Sequence, residues 1–111
     1  MKTEEQEEFW YSFDVSLVKG DNIAFTISDI RDDHDDPIDL EGKELICSIC
    51  EEIGVMTHSY FNAESVIGYE GKISVVSSKI YEGEKMAYVM KIVVNGGARS
   101  LFSGKIREAK L

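Results

Sequence analysis

The sequence predicts an all-β fold, an antiparallel sandwich of about seven short strands. Three observations predict it. Apolar and polar residues alternate with period two in several runs, most cleanly in Phe9–Leu17 and Ile23–Ile27. Turn-forming residues punctuate the chain roughly every 8–12 residues. One run, Met86–Val94, is apolar on both faces apart from Lys91, the pattern of a strand inside a sheet. A small closed barrel would use the same strands, and strand count alone does not separate the two.

Met1 to Glu8 holds four glutamates in eight residues and no apolar anchor after Met1, which predicts a flexible, solvated acidic tail. The single domain then spans Phe9 to Leu111. Its first strand is Phe9–Val18: Phe9, Tyr11, Phe13, Val15 and Leu17 share one face, Ser12, Asp14 and Ser16 the other. Lys19-Gly20-Asp21-Asn22 is a turn, and Ile23–Ile30 is the second strand. The acidic run Arg31-Asp-Asp-His-Asp-Asp36 carries the chain away from the sheet, and Pro37–Gly42 returns it. Glu44–Glu51 is the third strand, with Leu45, Cys47 and Ile49 on one face. Met56–Phe61 is a fourth, less regular in its alternation. Asn62–Gly71, with two glycines, reads as a connection, Lys72–Val76 as the fifth strand and Ser77–Lys85 as a turn. Met86–Val94 is followed by Asn95-Gly96-Gly97, residues that tolerate positive φ in a hairpin turn, and Ala98–Arg107 pairs back. Glu108–Leu111 either frays or begins a short helix. The core is expected from Phe13, Val15, Leu17, Ile23, Phe25, Ile27, Leu45, Ile49, Tyr88, Met90, Ile92, Phe102 and Ile106.

Composition narrows the function classes. Twelve Lys and Arg face twenty-one Asp and Glu, a net charge of -9, and no basic stripe offers to neutralise phosphates. Nucleic acid and anionic membrane surfaces are therefore not expected partners. No apolar run is long enough to span a bilayer. The acidic start, MKTEEQEE, lacks the basic and apolar regions of a signal peptide, so the chain is expected to be made in a cytoplasm with its two cysteines reduced.

Candidate chemistry is sparse. Cys47-Ser-Ile-Cys50 is a CxxC, but inside a strand residues three apart point to opposite faces, so the pair suits neither a redox site nor a shared metal. Asp29, Asp32, Asp33, Asp35, Asp36 and Asp39 are dense enough to raise calcium, yet Pro37 stands where a third acid of a calcium loop would be needed. A solvated loop tip explains the same residues. His34 and His58, the two histidines, show no relay spacing, and no phosphate loop, HExxH or nucleophile elbow is present. The residues thus predict no enzyme and no cofactor.

One stretch is more specific. Lys19–Cys50, with its glycine-aspartate turn, alternating strand, acidic loop and Pro37-Ile38-Asp39-Leu40-x-Gly42, resembles the amino-terminal domain of phage baseplate upper proteins and related small sandwich proteins of tailed-phage virions. Gly71-Lys72-Ile73, Gly83-Glu84 before Tyr88-Val89, Gly96-Gly97 and Arg99-Ser-Leu-Phe-Ser-Gly104-Lys-Ile106 follow in the order of that group. The resemblance covers about Phe13 to Ile106. It implies an immunoglobulin-like sandwich and a non-enzymatic virion role: an adaptor of tail, baseplate or neck that docks fibres or receptor-binding components. Partners would be other virion proteins or copies of the chain itself, in multiple copies per particle. In the baseplate upper proteins further segments follow the sandwich, whereas this sequence stops at Leu111, which implies a stand-alone adaptor or a decoration protein on head or tail. The alternatives are a capsid decoration protein and an intracellular phage accessory protein that captures a host factor.

The residues expected to touch a partner are Phe9, Trp10 and Tyr11. Pleating sends Phe9 and Tyr11 to the core side and Trp10 to the other. Trp10 then either anchors a partner or packs under a loop of its own subunit. Tryptophan is enriched among residues that carry binding energy, and a terminal edge strand offers unpaired backbone groups.

Overall fold

The computed structural model describes residues 12–53 and 56–110. Among them there are eight strands and no helix: β1 (Val15–Leu17), β2 (Asn22–Ile27), β3 (Leu45–Ile53), β4 (Met56–Asn62), β5 (Ser65–Tyr69), β6 (Lys72–Ile80), β7 (Met86–Val94) and β8 (Gly97–Glu108). They form a five-stranded sheet, β1-β8-β7-β3-β4, and a three-stranded sheet, β2-β6-β5. The all-β expectation holds.

Alternation sets which residues meet between the sheets. In β2 Ile23 and Ile27 are buried while Ala24 and Thr26 are exposed. In β3 Leu45, Cys47 and Ile49 point inward, and opposite them on β7 stand Ile92, Met90 and Tyr88. The three-stranded sheet contributes Ile73 and Val75 from β6. The rings of Phe25 and Tyr88, one from each sheet, lie 5.2 Å apart and join the layers, and Phe13 meets Phe102 edge-on at 4.9 Å. All thirteen residues expected in the core lie in it or pack against it. β7 sits at the middle of its sheet, as its two apolar faces require.

Five local expectations need correction. Among the described residues the regular part of the first strand is Val15–Leu17. Before it, Ser12 makes an isolated bridge to Ser103, and the Asp14 carboxylate takes the Lys105 amide at 2.9 Å, so a side chain replaces the ladder there. This first strand runs parallel to β8, whereas every other strand pairing is antiparallel. Its direction is fixed by the turn that follows: the Gly20 amide bonds the Tyr81 carbonyl at 2.8 Å, which sends the chain into the opposite sheet at that end.

Asn62–Gly71, expected as a connection, contains the strand Ser65–Tyr69. β6 continues through Ile80, past the expected turn at Ser77. Ser77 is buried there, and its hydroxyl accepts the Lys79 amide at 3.1 Å. Tyr81, expected in a turn, is fully buried, and its hydroxyl donates to the Glu84 carbonyl at 2.9 Å, pinning the corner between β6 and β7. Finally, β8 runs to Glu108 and the Ala109 amide donates to the Leu17 carbonyl at 2.7 Å, so the chain neither frays nor turns helical at that point.

The long β2–β3 crossover is held down by two buried side chains, Ile30 and Leu40. The Leu40 amide donates to the Tyr69 carbonyl at 3.1 Å, and the Gly71 amide to the Ile38 carbonyl at 2.6 Å. Gly68 faces this segment. A Cβ there would lie 2.8 Å from the Leu45 methyl and crowd the Leu40 carbonyl, so only glycine lets the crossover lie flat on β5.

Candidate functional site

Phe9, Trp10 and Tyr11 lie outside the described residues. The chain next to them enters the fold at Ser12, where the Phe13 amide donates to the Ser103 carbonyl at 3.1 Å along β8.

The two cysteines are separated by the strand that holds them. Cys47 is buried between the sheets, and burial pushes its thiol up to about 12. Cys50 is on the other face, where its thiol donates weakly to the Ala87 carbonyl at 3.6 Å, and partial burial together with nearby Glu52 raises its pKa as well. Raised thiol pKa values leave both as poor nucleophiles and poor metal ligands at neutral pH.

The acidic loop is organised by its own backbone. One oxygen of Asp32 accepts the amides of His34 at 2.9 Å and Asp36 at 3.0 Å, and these bonds hold its carboxyl below the ordinary range. The Arg31 guanidinium reaches the Asp29 carboxylate at 2.7 Å and the Asp35 carbonyl at 2.8 Å. Asp29 and Asp35 both take positive φ, a conformation aspartate tolerates better than most residues. Asp39 in turn accepts the Glu41 amide at 3.2 Å, so three of the six aspartate side chains, Asp29, Asp32 and Asp39, accept hydrogen bonds inside the loop. Among the described residues no group of three or more His, Cys, Asp or Glu is arranged to hold a metal ion. His34 stands at the surface 3.8 Å from Asp33. His58 belongs to β4, on the edge of the five-stranded sheet.

Buried polar groups elsewhere serve structure. The Tyr88 hydroxyl donates to the Phe13 carbonyl at 2.5 Å, and burial raises its pKa. Arg107 bonds the Met86 carbonyl at 3.0 Å and the Glu52 carboxylate at 3.2 Å, bracing the outer face of the five-stranded sheet.

What remains is surface. Six large apolar side chains are exposed among the described residues. Val18 and Val94 stand singly at strand ends, which is ordinary. The other four, Ile67, Tyr69, Val76 and Ile80, are on the three-stranded sheet. Val76 has Ala24 on one side and Ser65 on the other, and Ile67 is diagonal to it on β5. Tyr69 continues the row, with the Lys72 ammonium 5.2 Å from its ring centre. Sequence reasoning missed this face because Ile67 falls in a segment that reads as a connection and Ile80 in one that reads as a turn. Its one available signal was Val75-Val76: two adjacent valines in a strand cannot both point inward.

No family model, curated protein or solved structure matches the chain.

Proposed function

We propose that the chain is a non-catalytic adaptor that works by docking on other proteins, and that its setting is a tailed-phage virion, in the tail, baseplate or neck. The phage assignment rests on the sequence resemblance, and one observation supports reading that resemblance as a unit. Two of the segments quoted for the resemblance, Pro37–Gly42 and Gly71–Ile73, are about thirty residues apart in the chain yet meet: the Gly71 amide donates to the Ile38 carbonyl, and Ile30, earlier in the same crossover, donates to the Gly71 carbonyl at 2.9 Å. The quoted segments thus meet at one place in this fold, which supports reading them as a single structural unit.

The finer fold assignment, an immunoglobulin-like sandwich, belongs to the same proposal. It is supported by the strand order. A three-stranded sheet β2-β6-β5 packs on a sheet that runs β8-β7-β3-β4, with β1 added beside β8. With β4 counted as an insertion after the third strand, this order is similar to the second, fifth and fourth strands against seventh, sixth and third of the immunoglobulin class, and β1 departs from the constant-type order by lying beside β8. Docking rather than catalysis is supported by the half-buried and buried polar groups described above, each occupied in a structural bond.

Purified particles of the phage that encodes the chain, separated into heads and tails and analysed by mass spectrometry, test the proposal. The chain is expected in the tail fraction at several copies per particle. Presence in the head fraction alone would favour a decoration protein, and absence from both would refute the virion role.

A further inference from the structure

We infer that Asn95, at the tip of the β7–β8 hairpin, is a self-modification site: its side-chain amide is converted to a carboxylate by attack of the Gly96 backbone nitrogen, with water as the co-reactant. This does not depend on the virion assignment; it concerns the chemistry of the isolated chain.

The turn leaves both reacting groups open. Val94 pairs with Gly97, so Asn95 and Gly96 alone make the loop, and both are exposed. Among the described residues neither the Asn95 side chain nor the Gly96 amide has a hydrogen-bond partner. At Gly96 and Gly97 no heavy atom lies within 4 Å of where a Cβ would stand. Nothing shields the Gly96 nitrogen, and no side chain of its own hinders its approach to the Asn95 Cγ.

The conformation of the turn leaves room for that approach. A two-residue hairpin loop matches the twist of its strands best when both loop residues take positive φ. Gly96 does, at 86°, whereas the non-glycine residues with positive φ are Asp29 and Asp35, not Asn95. Positive φ at the second position alone is the type II pattern, which splays the strands it joins. The β7–β8 ladder also shifts register between Met90 and Lys91, a few residues from the tip.

The two other asparagines are held differently. The Asn22 side chain donates to the Ser77 carbonyl at 3.2 Å, and the buried, β-branched Ile23 follows it. The Asn62 side-chain oxygen accepts the Ser48 hydroxyl at 3.0 Å. The nitrogen that would have to attack Asn62, that of Ala63, donates to the Cys47 carbonyl at 2.9 Å.

The step balances with water alone. The Gly96 nitrogen gives its proton to solvent base and bonds to Cγ, and the side-chain nitrogen takes up a proton and leaves as ammonia. A cyclic succinimide remains. Water adds to either of its carbonyl carbons and opens the ring, giving aspartate or, with the backbone rerouted through Cγ, isoaspartate. Either product adds one negative charge to the net -9. Isoaspartate also inserts a methylene between Val94 and Gly97, and this longer loop loosens the register at the tip.

Incubation of the full chain in mildly alkaline buffer, followed by proteolysis and mass spectrometry, decides it. The peptide holding Asn95 is expected to show the mass change from amide to carboxyl about tenfold faster, or more, than the peptides holding Asn22 and Asn62. It should split into aspartate and isoaspartate forms, since the ring opens either way. Asn95→Gln, which would have to close a larger ring, should stay unmodified at that position. Unfolding in urea should accelerate Asn62 far more than Asn95, because the fold restrains the one and not the other. Three results overturn the inference: an Asn95 no faster than Asn22 and Asn62 in the folded chain, an Asn95 that converts only in urea, or a product that holds aspartate without isoaspartate.

Discussion

The Tyr88 hydroxyl on the central strand holds the backbone carbonyl of Phe13, seventy-five residues earlier in the chain. Gly104 makes the contact possible. It faces Tyr88 across the β7–β8 ladder, and a Cβ there would overlap the Phe13 carbonyl and sit 2.8 Å from the tyrosine ring. An aromatic ring thus covers the glycine, the glycine admits the incoming strand, and the hydroxyl fastens it.

Removing that fastening is expected to destabilise without unfolding. Tyr88→Phe keeps the ring and leaves the Phe13 carbonyl without its hydroxyl donor, a loss of about 1–3 kcal/mol. Gly104→Ala forces the incoming strand off the sheet and should cost about 3 kcal/mol or more. Urea unfolding of both variants checks the order, and a Gly104→Ala variant as stable as the parent would show that the first strand is not seated by this glycine.

Alkaline pH should unfold the domain gradually. The Cys47 thiol, ordinarily near 9.0, is held up to about 12 by burial, and burial also raises Tyr88 above its ordinary 10.0. Both groups are neutral in the folded chain and ionise more readily once it unfolds. Their contribution is complete below pH 9 and is lost as pH rises through the folded values, by up to about 1.4 kcal/mol per pH unit for each group. Cys47→Ala with Cys50→Ala should fold equally with and without reductant and show a shallower alkaline limb between pH 9 and 12. An unchanged limb would mean that Cys47 ionises in place.

The aspartate loop is expected to ignore calcium. Millimolar calcium should leave the melting temperature where it was, with or without Asp33→Asn and Asp35→Asn; a rise of several degrees that those substitutions abolish would show a cation site. Acid acts on the loop instead. The Asp32 carboxyl is held below its ordinary 3.8 by the amides of Asp36 and His34. Its contribution is present above that value and lost as pH falls through the lower folded one. Asp32→Ala should speed hydrogen exchange at the His34 and Asp36 amides at neutral pH while leaving strand amides protected.

If the chain docks on a virion partner as proposed, Trp10→Ala should keep the melting temperature and lose incorporation into particles. The expectation is carried by the sequence pattern alone, since Trp10 lies outside the described residues. A variant that melts early yet incorporates normally would make Trp10 a packing residue.

Much of the architecture is legible in the alternation, because a half-buried strand must place an apolar residue at every second position. Ile23, Phe25 and Ile27 reveal their strand this way, as do Leu45, Cys47 and Ile49. The pattern fails where an inward position is not apolar. Gly68 points inward because the crossover backbone at Leu40 lies on it, and an inward glycine looks like a turn in sequence. Ser77 points inward because its hydroxyl and carbonyl serve Lys79 and Asn22, and a polar residue there breaks the alternation. Tyr81 is hidden by its neighbours, a glutamate and a glycine that belong to the corner it anchors. The outward apolar face is harder still: Ile67, Val76 and Ile80 are residue types that signal a core, and apart from the adjacent pair Val75-Val76 only the position of the strands reveals that they point away from it.

The parallel pairing of β1 with β8 has a mechanical consequence. Ser12 lies beside Ser103 and Leu17 beside Glu108, so the chain enters this pair at one pole of the sheet and leaves it at the other. Traction applied through Ser12 and Glu108 slides the two strands past each other along their length. Their hydrogen bonds are then loaded together, in shear, instead of opening one by one as in a hairpin pulled from its free ends. On this geometry the domain is expected to resist stretching along this axis more than a pull that opens one of its hairpins from the free ends.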